Sequence, residues 1–159
     1  MTYKVKKRNV AKRAIPEYST RLTLTKVGET IFKTPQAIHS PQNVYDFIWP
    51  LIKDRANEVF VSIYLNTAHK ILSWEINSIG GVSSSFVDPA VVFRAAILQN
   101  ASCIICVHNH PSGKLLASEA DKEVTKKLKL AGQQMDIIVL DHVIITENGF
   151  FSFNDEGIF

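Results

Sequence analysis

Apolar and polar positions along the chain fall into short, separable blocks. EVFVSIYLN (58–66) is rich in β-branched and aromatic side chains and predicts a strand. A turn over residues 66–70 leads into ILSWEINSIGG, which predicts a second strand. SCIICVH (102–108) is apolar at nearly every position, as a strand buried on both faces must be. DIIVLDHVIIT predicts one or two strands, Asn148-Gly149 a tight hairpin turn, and FFSF the returning strand. Three other stretches carry helix signals. Ser40-Pro41 gives an N-cap and a first-turn proline to a helix through VYDFIWPLIKD, which Pro50 must end or kink. Asp88-Pro89 does the same for AVVFRAAILQN. Ser118 opens EADKEVTKKLKLAG, with Gly132 positioned to cap its C-terminus. Residues 21–40 are more polar and predict an extended connector with an edge strand at RLTLTKV. Because some strands follow each other directly, the blocks predict an α/β sandwich around a mixed sheet, not a doubly wound parallel fold.

The length, 159 residues, suits one domain with a real core. Charge divides the chain unevenly. Residues 1–21 carry seven basic side chains against Glu17 alone, +6, and the remainder carries 11 basic against 14 acidic, −3. The expected division is therefore a basic N-terminal arm and connector over 1–39 and a compact domain over 40–159. Such an arm predicts weak, salt-sensitive binding to nucleic acid, or else a solvated tail that aids solubility. No apolar run reaches the roughly 20 residues of a membrane span, and no apolar segment follows the basic N-terminus, so a soluble, cytoplasmic protein is expected. Cys103 and Cys106 lie inside an apolar run at a spacing that puts them on opposite strand faces, which disfavours joint metal binding.

Candidate chemistry concentrates in HNHPSGKLLASEAD (108–121). On an extended segment His108 and His110 point to one face while Asn109 points away. Pro111 and Gly113 shape the turn that follows. Asp121 falls in the first turn of the next helix and can add a carboxylate oxygen. Two imidazoles and one carboxylate leave a fourth tetrahedral position open, the arrangement of catalytic rather than structural zinc. Ser118 and Asp121 also have the spacing of a capping box, and the two roles are compatible. Hydrolysis needs a proton carrier as well. The candidate is Glu58, which opens an otherwise apolar strand and is either an exposed strand end or a functional carboxylate. Asp141-His142 is expected to support the site from behind, or to hydrogen-bond within a strand pair, and not to ligate metal.

Glu58, His108-Asn109-His110-Pro111, Ser118 and Asp121 fit the JAMM signature of a distant Glu, HxH, seven residues, Ser, two residues and Asp. With EVFVSIYLN, AVVFRAAILQNA, SEADKEVTKKL, LDHVIIT and FSFNDEG, the chain from about residue 40 to its end resembles the RadC-like branch of the JAB/MPN metalloprotease-like proteins. That resemblance implies a cytidine-deaminase-like fold, a curved mixed sheet flanked by helices. It implies Zn2+ held by His108, His110 and Asp121, Glu58 as general base and then acid, and Ser118 beside the oxyanion. The implied reaction is hydrolysis of a peptide or isopeptide bond in a peptide or protein substrate. The chain departs from the family pattern in three places. It has a basic arm where a helix-hairpin-helix region is common, no Arg after Asp88-Pro89, and Ala117 where proline commonly precedes the serine.

Two other metal signatures fit less well. HNH nucleases disperse their histidines over a ββα finger, and zinc deaminases need H-x-E and P-C-x-x-C, which the chain lacks. The rival of a different class is a metal-containing binding or accessory module of a DNA-associated repair system, without significant turnover. The sequence leaves the oligomeric state open, with a homodimer as the candidate assembly.

Overall fold

The structure, a computed structural model, describes residues 37–80 and 87–159. The basic arm and the strand expected at RLTLTKV lie outside the described residues. The elements run α1 (Pro41–Ile52), β1 (Val59–Leu65), β2 (Ile71–Ile79), α2 (Pro89–Leu98), β3 (Cys103–Asn109), α3 (Glu119–Gln134), β4 (Ile138–Thr146) and β5 (Gly149–Ser152). The strands form one sheet in the order β2-β1-β3-β4-β5. Only β3 and β4 pair in parallel, with α3 as their crossover, and every other pairing is antiparallel. This is the expected mixed sheet with helices on both faces.

Every residue of β1 and of β3 is buried, because these central strands are covered on both sides. Alternation sorts their side chains. Val59, Val61, Ile63, Leu65, Cys103, Ile105 and Val107 pack with Val44, Phe47, Ile48 and Ile52 of α1. Phe60, Tyr64, Ile104 and Cys106 pack on the other face with Val92 and Phe93 of α2 and Leu128 of α3. The two cysteines therefore face opposite layers, as their spacing requires.

Helix starts agree with the sequence. The side chains of Ser40, Asp88 and Ser118 cap α1, α2 and α3, and the first two are followed by proline. Pro50 does not end α1, which continues two residues past it within the stretch expected to be helical. Pro50 and Asp46 both lie on the solvent side, where water can serve the carbonyl that loses its helical N–H. Gly132 is not the cap of α3, which runs on to Gln134 and is capped by Met135. Glycine is needed there for close approach instead, since a Cβ would lie 2.3 Å from the Ile137 carbonyl oxygen and 3.2 Å from the Phe93 ring. DIIVLDHVIIT forms one strand, and Asn148 leads into Gly149 (φ 131°) at the β4–β5 hairpin. Among the described residues no helix is long and apolar enough to cross a membrane.

Candidate metal centre

The C-terminal end of the parallel pair β3–β4 and the N-terminus of α3 meet at one point, the usual ligand position in α/β sheets. His108 lies at the end of β3 on the α3 face and is buried. His110 stands just beyond the strand. The chain then turns through Gly113 (φ 75°), whose N–H donates to the His110 carbonyl at 3.0 Å. Asp121 enters from the first turn of α3 and is buried. His108 Nε2 and His110 Nε2 are 2.9 Å apart. Asp121 Oδ1 is 3.4 Å from His108 Nε2, and Oδ2 is 3.9 Å from His110 Nε2. Among the described residues these three side chains form a group that could hold a metal ion.

Neighbours fix each candidate ligand. His110 Nδ1 donates to the Lys114 carbonyl at 2.7 Å, which leaves its Nε2 lone pair facing His108. Asp121 Oδ2 accepts from the Ser118 N–H at 2.8 Å and the Ser118 hydroxyl at 2.7 Å, so Oδ1 is the oxygen turned to His108. Ser118 Oγ in turn accepts from the Asp121 N–H at 3.2 Å, completing a capping box with aspartate at its third position. Capping and ligand orientation thus fall on the same two residues. Burial pushes the His108 imidazole down to about 4, against the opposing pull of Asp121, and a further push downward comes from His110. Burial also holds His142 well below its ordinary value. Burial thus favours the neutral form of both rings, the form that metal ligation and hydrogen-bond acceptance require.

His142 stands behind His108, its Nε2 2.8 Å from His108 Nδ1. It is outside the ligand group, in keeping with the supporting role expected for it. A β-bulge puts it there. Ile104 pairs with Val139 but Ile105 pairs with Asp141, so Leu140 is extra on β4. Without the bulge, in regular one-to-one pairing, Cys106 would pair with Asp141, and His142 would face α1. With it, Cys106 pairs with His142, which turns toward α3. Asp141 is structural. Its carboxylate accepts from Ser152 Oγ at 2.5 Å, the Asn154 N–H at 3.0 Å and the His142 N–H at 2.7 Å, tying β4 to the C-terminal turn. Burial raises its pKa while those three bonds oppose the rise.

Glu58 is half-buried and immediately precedes β1. Phe60 pairs with His108 at the end of the antiparallel β1–β3 ladder, and Glu58 stands two residues before Phe60. Glu58, 50 positions from His108 in sequence, thus lies at the same end of the sheet as that histidine. Asn109, which faces away from the ligands as expected, has a role the sequence did not reveal. Its Oδ1 accepts from the Val59 N–H at 2.8 Å and its Nδ2 donates to the Asn57 carbonyl at 3.2 Å. These are the two peptide units on either side of Glu58. Thr125 was also missed. Its hydroxyl is 2.5 Å from His142 Nδ1 and 2.6 Å from the Asp121 carbonyl. A threonine one turn after a candidate ligand is the only trace of it in the sequence.

A mixed sheet that delivers two histidines and an aspartate from a strand end and a helix start defines a candidate metal-binding domain of the JAB/MPN type. The family described as a RadC-like JAB domain matches residues 38–158, and the chain belongs to that family. The chain is 42% identical over 132 residues to a UPF0758 protein of Flavobacterium johnsoniae, a match covering 83% of this chain and 57% of that protein. It is 39% identical over 130 residues to a UPF0758 protein of Methanosarcina mazei, covering 81% and 57%. A UPF0758 protein of Caldanaerobacter subterraneus subsp. tengcongensis is 40% identical over 147 residues, covering 92% and 61%. The chain spans about three-fifths of the length of these curated relatives.

Proposed function

We propose that this protein is a zinc-dependent hydrolase of the JAMM type that cleaves a peptide or isopeptide bond. One observation carries the reading. His108 Nε2, His110 Nε2 and the Asp121 carboxylate converge to 2.9–3.9 Å while the other nitrogen of His110 is committed to the Lys114 carbonyl. Electron-pair donors that close repel one another unless a cation lies among them. Two imidazoles and a carboxylate are the donor set of a catalytic zinc with an open position. When bound, zinc supplies a Lewis acid that polarises the scissile carbonyl and makes water nucleophilic near neutral pH. Glu58 takes the proton from the attacking water and hands it to the leaving nitrogen. Ser118, exposed at the mouth of the site, has one hydroxyl proton. It can turn from Asp121 to the oxyanion, because the Ser118 N–H still holds Oδ2.

The test is metal analysis of the purified protein after chelation and reconstitution, with a panel of peptide and isopeptide conjugates as substrates. One zinc per chain is expected, lost in His110→Ala. Stoichiometric zinc retained by that variant at neutral pH would refute the site. A zinc-loaded wild type inactive on the whole panel would move weight from the enzyme to the binding module.

A further inference from the structure

Four buried groups form a hydrogen-bonded chain behind the candidate ligands: His108, His142, Thr125 and the backbone carbonyl of Asp121. The chain of bonds links a ligand on β3 to a ligand on α3 through β4. Its proton order follows from one fixed point. The Asp121 carbonyl can only accept, and the 2.6 Å approach of Thr125 Oγ1 requires a proton between the two oxygens. A hydroxyl has one proton, so Thr125 donates it to the carbonyl and can only accept from His142. His142 therefore carries its proton on Nδ1 and presents a lone pair at Nε2. That lone pair accepts from His108 Nδ1 at 2.8 Å, which leaves His108 Nε2 bare and aimed at His110 and Asp121.

Apolar walls flank these bonds. Phe60 stacks on His108 and meets His142 edge-on, and Phe153 stacks on His142. Among the described residues no buried side-chain nitrogen or oxygen lacks a partner.

We infer that Thr125 and His142 are positioning residues that act as a tautomer lock, holding His108 in the Nδ1–H form whose Nε2 is ready for a metal before any metal arrives. The consequence for metal affinity rests on the zinc reading above; in the metal-free protein this order of protons must also outweigh the repulsion of two bare Nε2 atoms, those of His108 and His110, 2.9 Å apart, which the wild-type spectrum tests directly. Without the threonine hydroxyl, the His142 Nδ1–H would be buried with no acceptor. The favoured arrangement then reverses. His142 moves its proton to Nε2 and donates to His108 Nδ1, and His108 must hold its own proton on Nε2, where it blocks ligation.

The experiment uses the full chain in three forms: wild type, Thr125→Val and Thr125→Ser. Histidine side-chain nitrogens are read by 15N NMR in the metal-free protein, and zinc affinity by competition with a chromophoric chelator. Metal-free wild type should show protonated Nδ1 and bare Nε2 on both His108 and His142. Thr125→Val, nearly the same shape, should shift both rings toward Nε2–H and weaken zinc binding by about 10- to 100-fold, the range for loss of a group that orients a ligand. Thr125→Ser should regain both properties. A metal-free wild type with His108 protonated at Nε2 would overturn the lock, and so would a folded Thr125→Val variant with unchanged tautomers and wild-type zinc affinity. Because the wild-type spectrum is informative by itself, the inference stays open to refutation even if Thr125→Val fails to fold. A wild type with the expected tautomers but no zinc uptake would support the lock and overturn the zinc reading.

Discussion

Asn109→Leu tests how the strand ends hold the glutamate in place. Leucine keeps the branched shape of asparagine and removes both of its polar atoms. The bond that matters for stability is the one from Val59 N–H to Asn109 Oδ1, at 2.8 Å in a buried setting. Once that acceptor is gone, water cannot replace it, and an orphaned buried donor costs about 1–3 kcal/mol. The Asn57 carbonyl differs, because its residue is exposed and water can take over from Nδ2. The expected net loss is therefore about 1–3 kcal/mol, equivalent to a fall in Tm of roughly 2–12 °C for a domain of this size. Urea unfolding should show a lower midpoint at an unchanged slope. Zinc affinity should stay within about threefold of wild type, a shift of roughly 0.6 kcal/mol, since neither histidine bonds to Asn109. Turnover should fall, because both peptide units flanking Glu58 are released. A stability loss below about 0.5 kcal/mol, the range of an ordinary surface change, would refute this reasoning. Loss of stoichiometric zinc would show that Asn109 acts on the ligands instead.

Three further outcomes follow from the same geometry. Glu58→Gln should leave zinc content and melting temperature near wild type while hydrolysis falls at least about 100-fold, and cleavage at the wild-type rate would remove Glu58 from the mechanism. Gly132→Ala should destabilise by about 1–3 kcal/mol despite a helix-propensity gain of about 1 kcal/mol, because the added Cβ meets the Ile137 carbonyl; a stabilised variant in thermal unfolding would contradict that contact. Stability of the metal-free protein should fall with acid. Burial holds His108 and His142 below their unfolded values, so the unfolded chain takes up protons first. The stability present above about pH 6.5 should be lost progressively toward about pH 4, at more than about 1 kcal/mol per pH unit where both histidines contribute, and a flat denaturation profile across that window would count against neutral buried imidazoles.

The sequence by itself determined whatever depends on neighbours along the chain. Three helix starts were legible because an N-cap needs only its own residue and the next few. The two central strands were legible because burial on both faces demands continuous apolar runs. The candidate ligands His108, His110 and Asp121 were legible for the same reason, since an i, i+2 pair on a strand and a capping box at a helix start are both local patterns. The tertiary structure decided the rest. Sheet register set Phe60 opposite His108 and so put Glu58, two residues before Phe60, at that end of the sheet, and Asn109 showed its purpose only once β1 lay beside β3. Gly132 looked like a cap because glycine commonly ends helices, but its reason is the approach of Ile137 and Phe93, 5 and 39 positions away in sequence. Most of all, one extra residue at Leu140 turned His142 toward His108 and Thr125. Alternation within β4 cannot reveal that shift, because a bulge is defined by two residues opposing one on another strand, and that pairing exists only when β3 and β4 have come together.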